Sequence, residues 1–368
     1  MDDSSPCTRS FGHTDFDSSG WVGSRLPWRK RKHCPVRGCS IALGTTPYRK
    51  SRFPYCREHG IRLHSNTYAY FNGTGKENSR RARLRNFIIA QNLVEAEVLD
   101  SPHKAETHRL GFEMSEDALT WNVFVTLLVT GNLTKAAAHL TGRPVDGDVE
   151  LYLWGRRVTA SAIGSEIYPP LQSLRDALEG DIGQFPTEPD ILLVLPGRML
   201  ICVEAKFASG NLLAVAEDVC QGEKPKDRVR LMSKYLAGWA RCDECLSKDR
   251  IVDPLHSQLF RNVIFAARMA EAAVDNGEWH VVNLVSMTQW DEPGAASDYD
   301  YKDPTAAVQG YLREQHRKRF TFRSWEGLYE RVVSREPDLD VLRAYMTNKS
   351  AHFAPAFMLP DASTAAAT

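Results

Sequence analysis

The stretch EPDILLVLPGRMLICVEAKF, residues 188–207, decides the fold of this chain. Its two apolar runs, 191–195 and 199–203, have the length and composition of buried strands. The residues between them, PGR at 196–198, are typical of a turn. The stretch therefore predicts a buried β-hairpin in the middle of the chain.

Three charged residues flank this hairpin, namely Asp190, Glu204 and Lys206. Glu204 and Lys206 are two residues apart, so on a strand both point to one face while their apolar neighbours point to the core. If all three turn residues form the loop, residue 195 pairs with residue 199, and the numbers of any two partners across the hairpin add up to 394. Asp190 then lies opposite Glu204. A two-residue loop would instead place Asp190 on the other face.

Two carboxylates on neighbouring strands form the hard oxygen site that Mg²⁺ or Mn²⁺ prefers. Such a metal lowers the pKa of a bound water and polarises a phosphate. A lysine beside it can orient or deprotonate that water and can neutralise charge on the phosphate. The three charged residues therefore predict phosphodiester hydrolysis. The alternative is a surface salt-bridge cluster at the strand ends.

Size and composition indicate a globular protein of one large domain or two. The chain has 368 residues, of which 43% are hydrophobic and 25% are charged. No run of apolar residues is long enough to span a membrane, and the N-terminus lacks the apolar core of a signal peptide. We therefore expect a cytoplasmic protein without a membrane partner, in which clustered cysteines bind metal rather than form disulfides.

Charge is distributed unevenly along the chain, although the net charge is zero. Residues 25–86 contain 16 Lys or Arg and two acids, so this block carries +14 and the remainder carries −14. A basic block joined to an acidic body indicates a polyanionic partner, most often nucleic acid. The alternative is a solvated basic tail. The residues expected to contact phosphate are Arg29, Lys30, Arg31, Lys32, Arg49, Lys50 and Arg52.

A zinc-binding pattern lies inside the basic block, in HCPVRGCSIALGTTPYRKSRFPYCREHG, residues 33–60. Two close pairs, Cys34 with Cys39 and Cys56 with His59, supply the four ligands of a tetrahedral Zn²⁺ site. A turn-rich loop of this kind requires such a metal to fold. The rival histidines are His33 and His64. A second pair, Cys242 and Cys245, has only Cys220 and His256 nearby, so we expect reduced cysteines there and leave a second metal open.

Outside the hairpin, helices and strands alternate, which indicates a mixed α/β core. Ser115 is a good N-cap for a helix with Glu116 and Asp117 in its first turn. The pattern further predicts helices over 87–100, 134–142, 234–242, 256–276, 320–333 and 339–350, and strands over 150–158 and 280–287.

Pro189-Asp190, thirteen intervening residues and then Glu204-Ala205-Lys206 resemble the signature of the PD-(D/E)XK nuclease superfamily. The resemblance covers roughly residues 110–290 and implies a restriction-endonuclease-like mixed sheet flanked by helices. It implies that Asp190, Glu204 and Lys206 are catalytic. It also implies an upstream helical glutamate as a further ligand of Mg²⁺ or Mn²⁺. Glu116 matches that position, with Asp117 and Glu113 as rivals. Gln258 resembles the glutamine that some members carry on a later helix.

Taken together, the sequence predicts a metal-dependent endonuclease that acts on DNA, with restriction or defence against foreign DNA as a role that the family suggests. RNA as the substrate and a homodimer are left open. The rival functions are a non-catalytic nucleic-acid-binding protein on a nuclease-like fold and an interaction protein that uses its zinc module to dock a partner.

The expected organisation has five parts. They are a disordered tail at 1–27, a basic zinc-binding module at 28–66, a basic linker at 67–86, a nuclease-like domain with C-terminal helices at 87–350, and a loose tail at 351–368.

Overall fold

The computed structural model describes most of the chain between residues 32 and 359. The described residues are 32–34, 39–48, 51–64, 68–99, 107–180, 187–207, 209–214, 245–247, 255–287, 299–350, 357 and 359. The helix expected at 234–242, Cys220, Cys242 and five of the basic residues expected to bind phosphate lie outside them. Those five are Arg29, Lys30, Arg31, Arg49 and Lys50.

The strands and helices of the described residues follow one another in chain order. The strands are β1 (Gly44–Tyr48), β2 (Ser51–Cys56), β3 (Ile61–Leu63), β4 (Tyr68–Tyr70), β5 (Glu150–Leu153), β6 (Arg156–Val158), β7 (Ile163–Ile167), β8 (Ile191–Leu195), β9 (Met199–Lys206), β10 (Asn211–Ala214), β11 (Leu255–His256), β12 (Trp279–Val285), β13 (Tyr299–Asp300) and β14 (Phe320–Ser324). The helices are α1 (Lys76–Leu84), α2 (Gln91–Leu93, followed by a π-helical turn at Val94–Val98), α3 (Glu116–Val129), α4 (Leu133–Thr141), α5 (Pro169–Glu179), α6 (Ser257–Ala273), α7 (Thr305–Tyr311), α8 (Trp325–Leu328, followed by a π-helical turn at Tyr329–Val333) and α9 (Asp340–Ser350).

A mixed sheet of seven strands forms the centre of the described structure. Its order is β14-β12-β9-β8-β5-β6-β7. The strands β14, β12 and β9 are parallel to one another, whereas β9, β8, β5, β6 and β7 are joined antiparallel. The prediction of an α/β fold with a mixed sheet flanked by helices is confirmed.

Both faces of this sheet are covered. Val203, Ala205 and Phe207 belong to a buried apolar cluster that includes the residues of α3, α4 and α9. Leu200 and Cys202, on the opposite face of β9, belong to a second cluster with α6 and α7. A strand that is buried on both faces reads as a continuous apolar run, which is why β8 and β9 were recognisable in the sequence.

A smaller antiparallel sheet, in the order β1-β2-β3-β4, contains part of the basic block. Its strand β4 and the helix α1 lie within 67–86, which the sequence analysis gives as a linker. Ala69 of β4 forms a bridge with Phe112, and the N–H of Glu113 donates to the carbonyl of Tyr68. The small sheet is therefore joined by hydrogen bonds to the segment that leads into α3.

Three local expectations differ from the structure. The segment 320–324 is the strand β14 rather than the start of a helix, because Phe-Thr-Phe alternates with period two and pairs with β12. Within 87–100, α2 begins only at Gln91. The strand expected at 150–158 is a hairpin, since Trp154 and Gly155, with φ of 52° and 77°, turn the chain between β5 and β6.

Candidate functional site

The hairpin of β8 and β9 has the register that the three-residue loop predicts. Ile191 pairs with Val203 and Leu195 with Met199, so paired residue numbers sum to 394. Gly197 in the loop has a φ of +68°, a conformation that glycine adopts without strain. The register therefore places Asp190, the residue before β8, opposite Glu204.

Two carboxylates bind the backbone of β9 where it extends beyond β8. The N–H of Ala205 donates to Oδ2 of Asp190 at 2.8 Å, and the N–H of Phe207 donates to Oε2 of Glu116 at 2.8 Å. The hydroxyl of Ser209 also donates to Oε2 of Glu116, at 3.1 Å. Both carboxylates thus occupy the edge of β9 that β8 leaves open. The second oxygen of each carboxylate is not engaged by these bonds.

Glu204 and Lys206 form a buried ion pair on the face of β9 that packs against α6. Nζ of Lys206 lies 2.5 Å from Oε1 of Glu204, and the two residues are 4% and 1% exposed. The side-chain amide of Asn262 on α6 donates to Oε2 of Glu204 at 2.8 Å. Both oxygens of Glu204 therefore have a donor. The alternative of a surface salt-bridge cluster is wrong, because this pair lies inside the protein.

The four groups influence one another electrostatically. Burial, together with the nearby Glu204 carboxylate, raises the pKa of Asp190 well above its ordinary value. Burial also raises the pKa of Glu116, although the ammonium of Lys206 opposes this. For Lys206 burial favours the neutral amine, but the three surrounding carboxylates outweigh it and raise the pKa of the ammonium. When all three carboxylates are ionised, the single ammonium leaves them with a net negative charge, and burial together with this charge raises the pKa values of Asp190 and Glu116.

A second layer of amides holds the backbone behind this cluster. Asn283 of β12, opposite Glu204 in the parallel register, donates to the carbonyl of Glu204 at 3.2 Å. Asn211 donates in turn to Oδ1 of Asn283 at 2.9 Å. The carbonyl of Lys206 accepts from the indole N–H of Trp325 at 3.2 Å. These buried bonds fix the backbone at the C-terminal end of β9, from which Glu204 and Lys206 project.

Among the upstream acids Glu113, Glu116 and Asp117, the structure places Glu116 against the backbone of β9. Ser115 caps α3 through its hydroxyl, as expected, and so sets where the first turn begins. The charge of the neighbouring Asp117 contributes to the raised pKa of Glu116. The backbone N–H of Glu113 is bonded to β4 instead. The geometry favours Glu116 over both rivals.

Asn262 is the site residue that the sequence analysis missed. Gln258, proposed from the resemblance, is half-buried one helical turn earlier on α6. Gln258 and Asn262 are four residues apart, so the helical pattern predicts that they lie on the same side of α6. The sequence does not show which of the two reaches Glu204. Only the register of α6 against β9 selects Asn262.

Asp190, Glu116 and Glu204 are together called the acid cluster. Their carboxylate oxygens are of the type that hard divalent cations prefer. Within the described residues, however, only one group of three or more Cys, His, Asp or Glu side chains has all its ligand atoms within 4.8 Å of one another. That group contains none of the three carboxylates. A cation at the acid cluster would have to draw Asp190, Glu116 and Glu204 closer together. Binding would favour this movement, because a cation removes the repulsion between the carboxylates.

The group that does converge is Cys34, Cys39, Cys56 and His59, the set predicted from the spacing. Nδ1 of His59 lies 3.6 Å from Sγ of both Cys34 and Cys56. Zinc bonds of about 2.3 Å to sulfur and about 2.0 Å to nitrogen at tetrahedral angles give an S–N separation of about 3.5 Å, close to these two distances. The cluster could therefore hold a metal such as zinc.

The rival histidines have other roles. Nδ1 of His33 lies 3.3 Å from the carbonyl of Ser40. The ring of His64 packs against those of Phe53 and Phe112, with centroids 4.6 Å and 4.8 Å away. Burial and the charge of Arg62 lower the pKa of His64 to about 4. Neither histidine belongs to the metal-binding group.

Arg85 joins this cluster to the rest of the protein. Its guanidinium donates to the carbonyls of His59 at 2.7 Å and Gly60 at 2.8 Å, and it lies over the ring of Tyr70. The next residue, Asn86, donates through its side chain to the carbonyl of Phe112 at 2.6 Å. The cluster and the segment preceding Glu116 are thus connected through two consecutive side chains.

Two of the basic residues expected to contact phosphate lie in the described part of the chain, and both are exposed. They are Lys32 and Arg52, of which Arg52 donates to the hydroxyl of Thr45. Two residues of the possible second metal site lie in the described part of the chain. Cys245 belongs to the apolar cluster beside α6, and Nε2 of His256 lies 3.1 Å from Oδ2 of Asp300.

Comparison with protein-family models, with curated proteins and with solved structures finds no match to this chain. None of the helices in the described ranges is both long enough and apolar enough to cross a membrane.

Proposed function

We propose that this chain is a metal-dependent nuclease that hydrolyses phosphodiester bonds of DNA on a restriction-endonuclease-like core. One observation carries the proposal. At one end of the central sheet, two backbone-bound carboxylates meet a buried Glu204–Lys206 pair. Three carboxylates that share one ammonium repel one another when ionised, so a cluster of this kind indicates a site that binds a cation.

Asp190, Glu204 and Glu116 would hold the Mg²⁺ or Mn²⁺ ion, which when bound supplies an acidified water and a polarised phosphate. Asp190 and Glu116 are oriented by the backbone of β9, so each presents its second oxygen in a fixed direction. Asn262 orients Glu204 through Oε2, while Oε1 is paired with Lys206, so a cation would share this carboxylate with the ammonium.

Lys206 contributes a positive charge. The three carboxylates around Lys206 raise the pKa of its ammonium, so the charged form is favoured when no cation is bound. The ammonium would stabilise the negative charge that develops on the phosphate during hydrolysis.

The zinc-binding module and the basic block would supply affinity for the substrate. Zn²⁺ at the Cys34 cluster stabilises a small sheet that offers little apolar core of its own. The +14 block then neutralises backbone phosphates that the acidic body would repel.

The test is incubation of the purified chain with supercoiled plasmid in Mg²⁺, in Mn²⁺ and without added metal. The matched pair Glu116→Gln and Asp117→Asn removes one charge from each of two neighbouring acids. We expect metal-dependent cleavage by the wild type and Asp117→Asn, and loss of cleavage in Glu116→Gln.

Absence of cleavage under every metal condition would contradict the proposal. If the inactive chain still bound DNA, the non-catalytic nucleic-acid-binding function would replace it. If it bound no nucleic acid, the interaction function of the zinc module would replace it.

A further inference from the structure

A cleft lies between the small sheet, α1 and the residues Gly111 and Phe112. Its volume is about 290 Å³, near the lower end of the range for small-ligand pockets. Its walls include Arg62, Tyr70, Phe71, Ser79, Arg83 and the loop 73–75. The cleft is large enough for more than a single phosphate group. None of the residues proposed to act in catalysis lines it, although Arg62 and Arg83 belong to the basic block.

The lining of the cleft is positively charged. It contains the two arginines Arg62 and Arg83 and no aspartate or glutamate. Arg62 is 7% exposed, so its guanidinium has been desolvated on folding. A buried cation of this kind attracts an anion far more strongly than one in bulk water.

Both arginines are held in place by the protein. Nε of Arg62 donates to His64 at 3.2 Å, and its guanidinium lies 5.1 Å from the centroid of the Phe71 ring. Nη1 of Arg83 donates to the carbonyl of Leu99 at 2.9 Å. Nε of Arg83 also donates to the carbonyl of Ser79 at 3.3 Å, so the positive charges of both arginines are held at fixed positions beside the cleft.

The loop on the open side of the cleft leaves room for a ligand. Gly73 and Gly75 have φ of +112° and +99°, and a Cβ built on Gly75 would meet no atom within 4 Å. Ser79, which is exposed, follows on α1 and brings a hydroxyl to the same wall. Guanidinium and hydroxyl groups are the usual donors to phosphate oxygens.

We propose that this cleft binds the phosphate of a nucleotide, with the remaining volume taken by the attached sugar or base. The nucleotide is either free or part of a nucleic-acid strand. The site shares no residue with the acid cluster, so the proposal holds whether or not the chain is a nuclease.

Calorimetric titration of the full chain, without added Mg²⁺, tests the ligand class. Deoxyadenosine 5′-monophosphate is the probe and deoxyadenosine is the control without phosphate. We expect saturable binding of the nucleotide only, with inorganic phosphate as a competitor. Competition by a short 5′-phosphorylated oligonucleotide would identify a strand as the source of the ligand, and its failure to compete would identify the free nucleotide. Equal binding of nucleoside and nucleotide, or binding of neither, would overturn the proposal.

A matched pair of variants tests the location. Ser79→Glu adds a carboxylate to the wall of the cleft, whereas Ser79→Gln adds a side chain of the same shape without the charge. We expect Ser79→Glu to weaken nucleotide binding at least about tenfold more than Ser79→Gln does, because like charges repel at short range. Ser161→Glu, at an exposed loop between β6 and β7, adds the same charge elsewhere and should leave binding unchanged.

Equal effects of Ser79→Glu and Ser79→Gln, or an equal loss in Ser161→Glu, would place the ligand outside the cleft. Lys206→Ala separates this proposal from the nuclease proposal, since it should remove cleavage and leave nucleotide binding intact. Loss of nucleotide binding in Lys206→Ala, with the fold unchanged, would assign the ligand to the acid cluster instead.

Discussion

At the scale of single residues, Asn262 determines how the Glu204 carboxylate is oriented. Its amide is 2.8 Å from Oε2 of Glu204 and is buried. We expect Asn262→Ala to lower metal affinity and the cleavage rate by about 10- to 100-fold, as is usual when a residue supporting a metal ligand is removed. A Mn²⁺ titration and a cleavage time course measure the two effects.

Gln258→Ala is the control for this variant, because it removes a polar side chain one turn earlier on the same helix. It should leave both quantities close to wild type, and thermal melting should verify that both variants fold. If Gln258→Ala were the more damaging variant, the resemblance would have chosen the right residue and the geometric argument would be wrong.

Asp190 is expected to destabilise the protein when no divalent cation is present. Its pKa is raised from an ordinary value of 3.8, chiefly by burial and then by Glu204. Stability is therefore lost as the pH rises from that value through the higher pKa of the folded state. The variant Asp190→Asn cannot ionise, so it should lose less stability than the wild type as the pH rises from 3.8 through the raised pKa of folded Asp190.

Thermal melting across this pH range, in buffer without added Mg²⁺ or Mn²⁺, measures the difference. Comparing the two proteins cancels the titration of groups that both contain. A wild type that loses no more stability than Asp190→Asn would show that the cluster is not under electrostatic strain.

At the scale of elements, the turn between β8 and β9 sets the register on which the candidate site depends. Gly197 has a φ of +68°, and an added Cβ would lie 3.3 Å from the carboxylate of Asp275. We expect Gly197→Ala to lower the free energy of unfolding by about 1–2 kcal/mol, because other residues are strained in this conformation. Urea unfolding measures the change.

Gly310→Ala is the matched control within α7. An added Cβ there meets no atom within 4 Å, so this variant should raise the free energy of unfolding by about 0.5–1 kcal/mol. Destabilisation of equal size in both variants would mean that the left-handed turn is not a special constraint.

An element could be predicted from the sequence when the residues that specify it lie close together in the chain. The strand β8 was predictable to the residue, because its apolar run and a Pro-Gly-Arg turn lie within one short stretch. The strand β9 continues to Lys206, three residues beyond the predicted run, because pairing with β12 extends it. The strand β14 was not predictable, since Phe-Thr-Phe-Arg is followed at once by a helical pattern and only its pairing with β12 separates the two. The zinc ligands were predictable because both pairs are close in sequence.

At the scale of the whole molecule, the basic block should dominate affinity for DNA. Replacing Arg29, Lys30 and Arg31 by Gln should reduce the magnitude of the log–log salt slope on duplex DNA. The reduction should be about 0.9 for each backbone phosphate that the variant no longer neutralises. Salt titrations of binding to one duplex measure it.

The control replaces three exposed basic residues outside the block, Lys135, Lys302 and Arg335, by Gln. It changes the net charge equally and should leave the slope nearly unchanged. Equal slopes in all three proteins would show that the block does not touch DNA, and would favour the role of the zinc module in docking a partner.

Three pairings between distant segments of the chain could not be predicted from the sequence. The bond from Phe207 to Glu116 connects residues 91 positions apart, and that from Asn262 to Glu204 connects residues 58 apart. The attachment of the small sheet to the segment before α3 also relies on pairing between Ala69 and Phe112. No local pattern specifies such pairings.

The central claim is that the acid cluster holds a divalent cation, and the most direct test is a Mn²⁺ titration of the zinc-loaded chain. Wild type is compared with Glu204→Gln and Asp190→Asn. The control is Glu150→Gln, which removes a half-buried carboxylate paired with Arg157 on β6. We predict saturable binding in wild type and in the control, and its loss in both cluster variants. Equal Mn²⁺ affinity in all four proteins would contradict the claim.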